Sequence, residues 1–155
     1  MVEAMTQQSL MTGANTAFLA YVFTCLVLSL NLLVLWVASG AIRAQGGVAI
    51  NPEDGARYSA PVSEFDPPAV ARLLRMHRNA EATIYPFLLL GLVYILAGGE
   101  DRFAVPVFAI FIVARIAHSV VYLQAMQPWR TVAFATSLLA IFALIAAVLH
   151  VLLTA

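Results

Sequence analysis

Residues 75 to 81 read Arg-Met-His-Arg-Asn-Ala-Glu and lead straight into the apolar run Ala-Thr-Ile-Tyr-Pro-Phe-Leu. Ionic groups are rare beside a membrane span unless they have a task there. At helical spacing Arg72, Arg75 and Asn79 share one face, and Arg78, Glu81 and Tyr85 share its neighbour. Guanidinium groups grip carboxylates through paired hydrogen bonds, so the cluster suits a small, charged, polar ligand. A collar of arginines reaching to the membrane interface explains Arg72 as well. It explains Asn79 and Glu81 poorly, because neither side chain reaches far.

A second constellation is Arg115, His118 and Tyr122, spaced to fall on one helical face. From Phe103, where its apolar run opens, Arg115 is about 18 Å along a helix axis, near the middle of a bilayer. Inserting Arg at that depth costs about 3 kcal/mol, so it must face protein and meet an anion. Glu81 is the one acid within the second apolar stretch, which makes Glu81–Arg115 the expected internal ion pair. The pair would serve either the ligand or the cohesion of the helices.

The third feature is Arg130-Thr131, just after Gln127-Pro128-Trp129. A helix starting there presents free N–H groups and the positive end of its dipole. With an added guanidinium and hydroxyl it can cradle a thiolate or a carboxylate. An Arg that sets membrane orientation beside an interfacial Trp would look the same.

Four apolar segments must position these groups: residues 14–43, 67–97, 103–125 and 129–154. Each exceeds the about 20 residues a bilayer requires. The fold class expected is an all-α integral membrane protein, a four-transmembrane-helix bundle within a single domain over residues 1–155. Asp66 suits a helix N-cap and Pro67 a first helical position. The second helix would measure about 46 Å at 1.5 Å per residue, longer than the hydrocarbon, and Pro86 removes one of its hydrogen bonds and can kink it. The connection 44–66 is the one long loop, and Asn51-Pro52-Glu53-Asp54 within it reads as a turn rich in acids. Six arginines (43, 57, 72, 75, 78 and 130) fall on the side of this loop and only Arg102 opposite, which places the loop in the cytoplasm and both termini outside.

Composition narrows the function. The chain has 155 residues, 63% of them hydrophobic and 10% charged, with zero formal net charge. Soluble domains are nearer half apolar and a quarter charged, so lipid must cover the excess. A neutral chain is no nucleic-acid binder. All eight basic residues are Arg, as carboxylate recognition or an Arg-rich genome would give. Cys25 is alone, so neither a disulfide within the chain nor a Cys-based metal site is expected. No His or carboxylate spacing suggests a metal, and Met1–Gly13 lacks the basic start of a cleaved signal peptide.

Arg75-Met76-His77-Arg78-Asn79 leading to Thr83-Ile84-Tyr85-Pro86-Phe87, and Arg115-Ile116-Ala117-His118-Ser119-Val120-Val121-Tyr122, resemble the membrane-associated proteins in eicosanoid and glutathione metabolism, the MAPEG family. With Asn51-Pro52-Glu53-Asp54 the likeness is to the branch of microsomal prostaglandin E synthase and microsomal glutathione transferase 1, and it extends from about Arg43 to Phe134. The resemblance implies a homotrimer with glutathione at the subunit interfaces near the cytoplasmic side. It implies Arg43, Arg78, Asn79, His118, Tyr122 and Arg130 as glutathione contacts, and Glu81, which does not stand at the family position, is taken as a further candidate contact. Arg130 would stabilise the thiolate, Thr131 would assist it, and Asp54 would take part in isomerase chemistry. Two positions depart from the pattern. The family Glu three residues after the Asn is Ala82 here, with Glu81 one residue early, about 100° around a helix. A family Tyr one turn beyond Arg130 is Phe134.

The resulting expectation is a multi-pass enzyme of a bacterial inner membrane or the endoplasmic reticulum, with its active site toward the cytoplasm. It would activate glutathione against lipophilic electrophiles or lipid hydroperoxides drawn from the bilayer, with membrane lipids as its surroundings. The alternatives are an endoperoxide isomerase of the prostaglandin E synthase kind and a non-catalytic lipid-binding or regulatory bundle.

Overall fold

A computed structural model describes residues 16–154. The chain forms α1 (Thr16–Gln45), α2 (Pro52–Tyr58), α3 (Pro68–Leu96), α4 (Asp101–Leu123) and α5 (Trp129–Thr154). Helices α1, α3, α4 and α5 are long and apolar enough to cross a membrane. Among the described residues the sole β contact is an isolated bridge between Ala49 and Val62. The chain is thus an all-helical, multi-pass integral membrane protein. The expected start of the first helix at Ala14, and the segment Met1–Gly13, lie outside the described residues. The described residues divide into two compact units, one of residues 16–29 with 82–154 and one of residues 30–81.

In the first unit each helix buries one stripe. On α4 the buried residues are Ala104, Phe108, Phe111, Ala114, Arg115, His118 and Ser119, and on α5 Ser137, Ala140, Ile141, Leu144 and Val148. Steps of three and four residues put each set on one face. Phe87 of α3 stacks on Phe111, with ring centroids 3.6 Å apart and planes 5° from parallel, while Phe108 meets Phe87 edge-on at 5.7 Å. Where lipid replaces water as solvent, this close packing rather than water exclusion holds helices together. The helix runs unbroken through Pro86, whose ring is exposed.

Both turns of this unit end helices in the same way. After α3, Gly98 adopts φ +77°, and Gly99 N–H donates to Tyr94 O at 2.9 Å while Gly98 N–H donates to Ile95 O at 3.1 Å. After α4, Ala125 takes the left-handed role at φ 59°, with Met126 N–H on Val121 O at 2.9 Å and Ala125 N–H on Tyr122 O at 3.2 Å. These paired bonds satisfy the last carbonyls of each helix. Asp101 also serves α1, its Oδ1 accepting from Ala17 N–H at 3.2 Å.

The second unit holds the loop, and here the structure corrects the sequence reading twice. Asn51-Pro52-Glu53-Asp54 is no simple turn. Asn51 is the extended N-cap and Pro52 a first-turn residue of the seven-residue helix α2. Gly55 in this helix is buried, and a Cβ there would lie 2.5 Å from Val62 Cγ2 and 3.1 Å from Ala60 O. Only glycine fits so close an approach. The flanks are tied by Ala49 N–H to Pro61 O at 3.0 Å and Ser63 N–H to Ala49 O at 2.8 Å. The second correction concerns Asp66. Helix α3 begins at Pro68, and Pro67 O accepts its first bond, from Ala71 N–H at 2.9 Å. The Asp66 carboxylate instead binds Arg43, 23 residues earlier, because a full ionic charge outcompetes a backbone N–H for it.

Candidate functional site

The expected site residues fall into two sets, one in each unit. In the second unit, α3 buries Val70, Leu73, Met76 and Ala80. That stripe leaves Arg75 and Arg78 exposed and Asn79 and Glu81 half-buried. The acid of this cluster has a local neighbour that spacing alone did not suggest: Glu81 Oε2 lies 3.4 Å from His77 Nδ1, one turn back.

Arg43 stands in the last turn of α1, where a cation complements the helix dipole. Its Nε and Nη2 both reach Asp66 Oδ1, at 2.8 and 2.7 Å. Asp54 stands in the first turn of α2, and Asn51 Nδ2 donates to its Oδ2 at 3.2 Å. A cavity of about 370 Å³ brings Arg43, Asn51, Asp54 and Tyr58 together, with glycines and aliphatic residues between Gly40 and Ala60 completing its wall. Arg43 and Asp54, proposed from separate motifs, therefore share one concavity.

In the first unit Arg115 is fully buried and His118 nearly so, as their depth on α4 demands. The carbonyl of Arg115 accepts from Ser119 Oγ at 3.1 Å. Tyr122 packs on His118 with ring centroids 5.6 Å apart, and Phe134 of α5 approaches His118 at 6.1 Å. The Arg130 guanidinium lies over the Tyr122 ring, 5.0 Å from its centroid. His118, Tyr122, Arg130 and Phe134 thus form one contact chain between α4 and the first turns of α5. The Nδ1 of His118 is buried without a hydrogen-bond partner among the described residues. Buried polar atoms of that kind are uncommon in folded proteins.

Gln127 was missed in the sequence, although it lies three and four residues before Arg130 and Thr131. With its amide turned to satisfy both neighbours, its oxygen accepts from Arg130 Nη2 at 2.6 Å and Nε at 3.2 Å, and its nitrogen donates to Thr131 Oγ1 at 3.2 Å. The guanidinium is thereby held on one edge by an amide and on one face by an aromatic ring. It remains half-buried, and Thr131 is exposed.

Beside this turn α4 and α5 flank an open groove of about 670 Å³, walled by Ile110, Val113, Val121, Met126, Trp129 and Val132 among others, with Thr136 its sole polar residue. The Thr136 hydroxyl is already engaged with Val132 O at 2.9 Å, so the groove offers a hydrocarbon surface. Met126 and Trp129 bracket Gln127 in the chain, so its wall begins in the turn that carries Arg130.

Residues 21–150 match the MAPEG family profile. The chain is 36% identical over 122 residues to prostaglandin E synthase of Homo sapiens, covering 78% of this chain and 80% of that protein. It is 35% identical over 127 residues to prostaglandin E synthase of Equus caballus, covering 81% and 83%. To microsomal glutathione S-transferase 1 of Bos taurus it is 35% identical over 126 residues, covering 77% and 81%.

Proposed function

The chain belongs to the MAPEG family, and on that premise we propose that it is a membrane-bound, glutathione-dependent transferase or peroxidase acting on lipophilic electrophiles or hydroperoxides. The observation that carries the reading is Arg130, a half-buried cation at the start of α5, held between the Tyr122 ring and the Gln127 amide. The relatives named glutathione S-transferase and prostaglandin E synthase support a glutathione-dependent chemistry in general.

The residues fit the tripeptide. Its two carboxylates call for arginines and its ammonium for an acid, which Arg43, Arg78 and Glu81 supply, with Asn79 beside them. The buried, unsatisfied Nδ1 of His118 calls for a polar ligand group, since leaving such an atom unpaired costs about 1–3 kcal/mol. Glutathione supplies a thiol that attacks once it is deprotonated. Free thiols titrate near 8.5, and an adjacent cation lowers that value. Arg130 would hold the negative charge at sulfur, and Thr131 would donate a hydrogen bond to it. A cation in a partly desolvated setting shifts such a group by about 1–2 units, each unit being about 1.4 kcal/mol. The nucleophile thus comes with the substrate, and the protein needs no reactive Cys of its own.

The homotrimer, with its glutathione sites at subunit interfaces facing the cytoplasm, belongs to the same reading. A lipophilic acceptor would arrive from the bilayer, and the apolar groove between α4 and α5 gives it a hydrocarbon surface that starts in the Arg130 turn.

A second reading is favoured by one observation, the 36% identity to a prostaglandin E synthase. It makes Asp54 a participant in endoperoxide isomerisation. Against it, Phe134 packs on His118 and carries no hydroxyl. Calorimetric titration of the purified protein with glutathione, followed by a panel of halonitrobenzenes, hydroperoxides and an endoperoxide, tests both. Conjugation or peroxide reduction supports the transferase, and isomerised product the second reading. No glutathione binding would overturn both in favour of a lipid-binding or regulatory bundle.

A further inference from the structure

We propose that Asp66 is a positioning residue for Arg43, aiming its guanidinium into the loop cavity to receive a ligand carboxylate. The inference rests on the glutathione reading above, and adds to it a residue and a division of labour within one side chain.

A guanidinium has five N–H groups in a rigid plane. In Arg43 the edge formed by Nε and Nη2 is committed, both nitrogens sharing Asp66 Oδ1 at 2.8 and 2.7 Å. The other edge, between Nη1 and Nη2, keeps a parallel pair of donors, the fork that takes a carboxylate in two bonds. Arg43 lines the cavity with Asn51, Asp54 and Tyr58, and Asp66 does not. The carboxylate of Asp66 therefore grips the side chain without occupying the space a ligand would enter. Both partners are half-buried, with side chains 31% and 20% exposed. The contact also ties the end of α1 to the start of α3, so it holds Arg43 and helps close the loop that walls the cavity. An arginine side chain without such a partner samples many rotamers, and much of that freedom would be lost again at each binding event.

Charge and geometry make opposite predictions, which gives the test its force. Removing Asp66 leaves the Arg43 charge uncompensated, and this alone should tighten anion binding. Weaker binding in such a variant therefore means lost orientation or a disturbed loop, and the thiol analogues separate the two. The full-length protein, purified in detergent, is assayed with a halonitrobenzene acceptor and three thiols: glutathione, its glycine-carboxamide analogue and its glutamyl α-carboxamide analogue. Asp66→Ala should raise the KM for glutathione about tenfold and leave kcat within about twofold. In wild type one of the two amides should carry a KM penalty of about tenfold, and in Asp66→Ala that penalty should shrink toward one. Asp66→Asn, which keeps the shape and a neutral acceptor, should fall between and serves the same comparison if the Ala variant does not fold. An unchanged or lowered KM overturns the proposal, as does an equal rise for all three thiols, which would mark Asp66 as structural only. Calorimetry on wild type keeps the two levels apart: absent glutathione binding defeats the functional reading itself, whereas wild-type binding that survives in Asp66→Ala undiminished defeats the positioning role alone.

Discussion

Gln127 and Arg130 stand one turn apart, and the amide oxygen of the first accepts from both Nη2 and Nε of the second, at 2.6 and 3.2 Å. The bond aims a cation without neutralising it. Replacing Gln127 with Ala should loosen Arg130 and lower kcat/KM about fivefold, the loss expected for a partly exposed bond to a charged group worth about 1 kcal/mol. Replacing it with Glu keeps the acceptor but adds an opposing charge, so the thiol of bound glutathione should titrate higher than in wild type. Steady-state kinetics across pH separate the two effects.

The face of the same guanidinium rests on Tyr122, 5.0 Å from the ring centroid. A cation over an aromatic ring is worth about 0.5–1 kcal/mol at exposed sites. Tyr122→Leu should therefore lose about twofold to fivefold more in kcat/KM than Tyr122→Phe, which retains the ring. Equal losses in the two variants would assign the contribution of Tyr122 to its hydroxyl.

Gly55 is walled in by Val62 Cγ2 at 2.5 Å and Ala60 O at 3.1 Å from the place of a Cβ. Gly55→Ala should displace α2 against its flank and destabilise the protein by about 1–3 kcal/mol, the range for overpacking. Thermal unfolding and proteolysis between residues 46 and 65 would register it. Since Asp54 and Asn51 belong to the same short helix, the variant should also disturb the cavity they share with Arg43.

Ala125 occupies a left-handed conformation, φ 59°, in the turn that delivers Gln127 and Arg130. A non-glycine residue there carries strain of about 1–3 kcal/mol, while glycine at a compatible site loosens the unfolded chain by about 0.4–1 kcal/mol. Ala125→Gly should leave stability unchanged or improve it by up to about 1–2 kcal/mol, read from the thermal midpoint in detergent.

The long helices were legible because apolar length is a strong signal. Helix α5 matches its expected bounds at Trp129 and Thr154, and α3 differs by one residue at each end. The face shared by Arg115 and His118 was legible too, since an i, i+3 spacing on a buried helix fixes both inward. Helix α2 was not, because its seven residues show no periodicity and hold a Pro and a Gly. The partner of Asp66 was hidden for a different reason. Local spacing suggested a cap, while the stronger partner, Arg43, came from another helix end. Glu81 has a local neighbour, His77 one turn away, that a search for longer-range partners passed over.

The central claim is that Arg130 holds the sulfur of glutathione deprotonated, and the ultraviolet absorbance of the bound thiolate, titrated against pH, measures it directly. In the wild-type protein the thiol should titrate about 1–2 units below the ordinary value near 8.5. In Arg130→Ala, at saturating glutathione, it should return to about 8.5. A titration curve that is the same in both proteins would contradict the account.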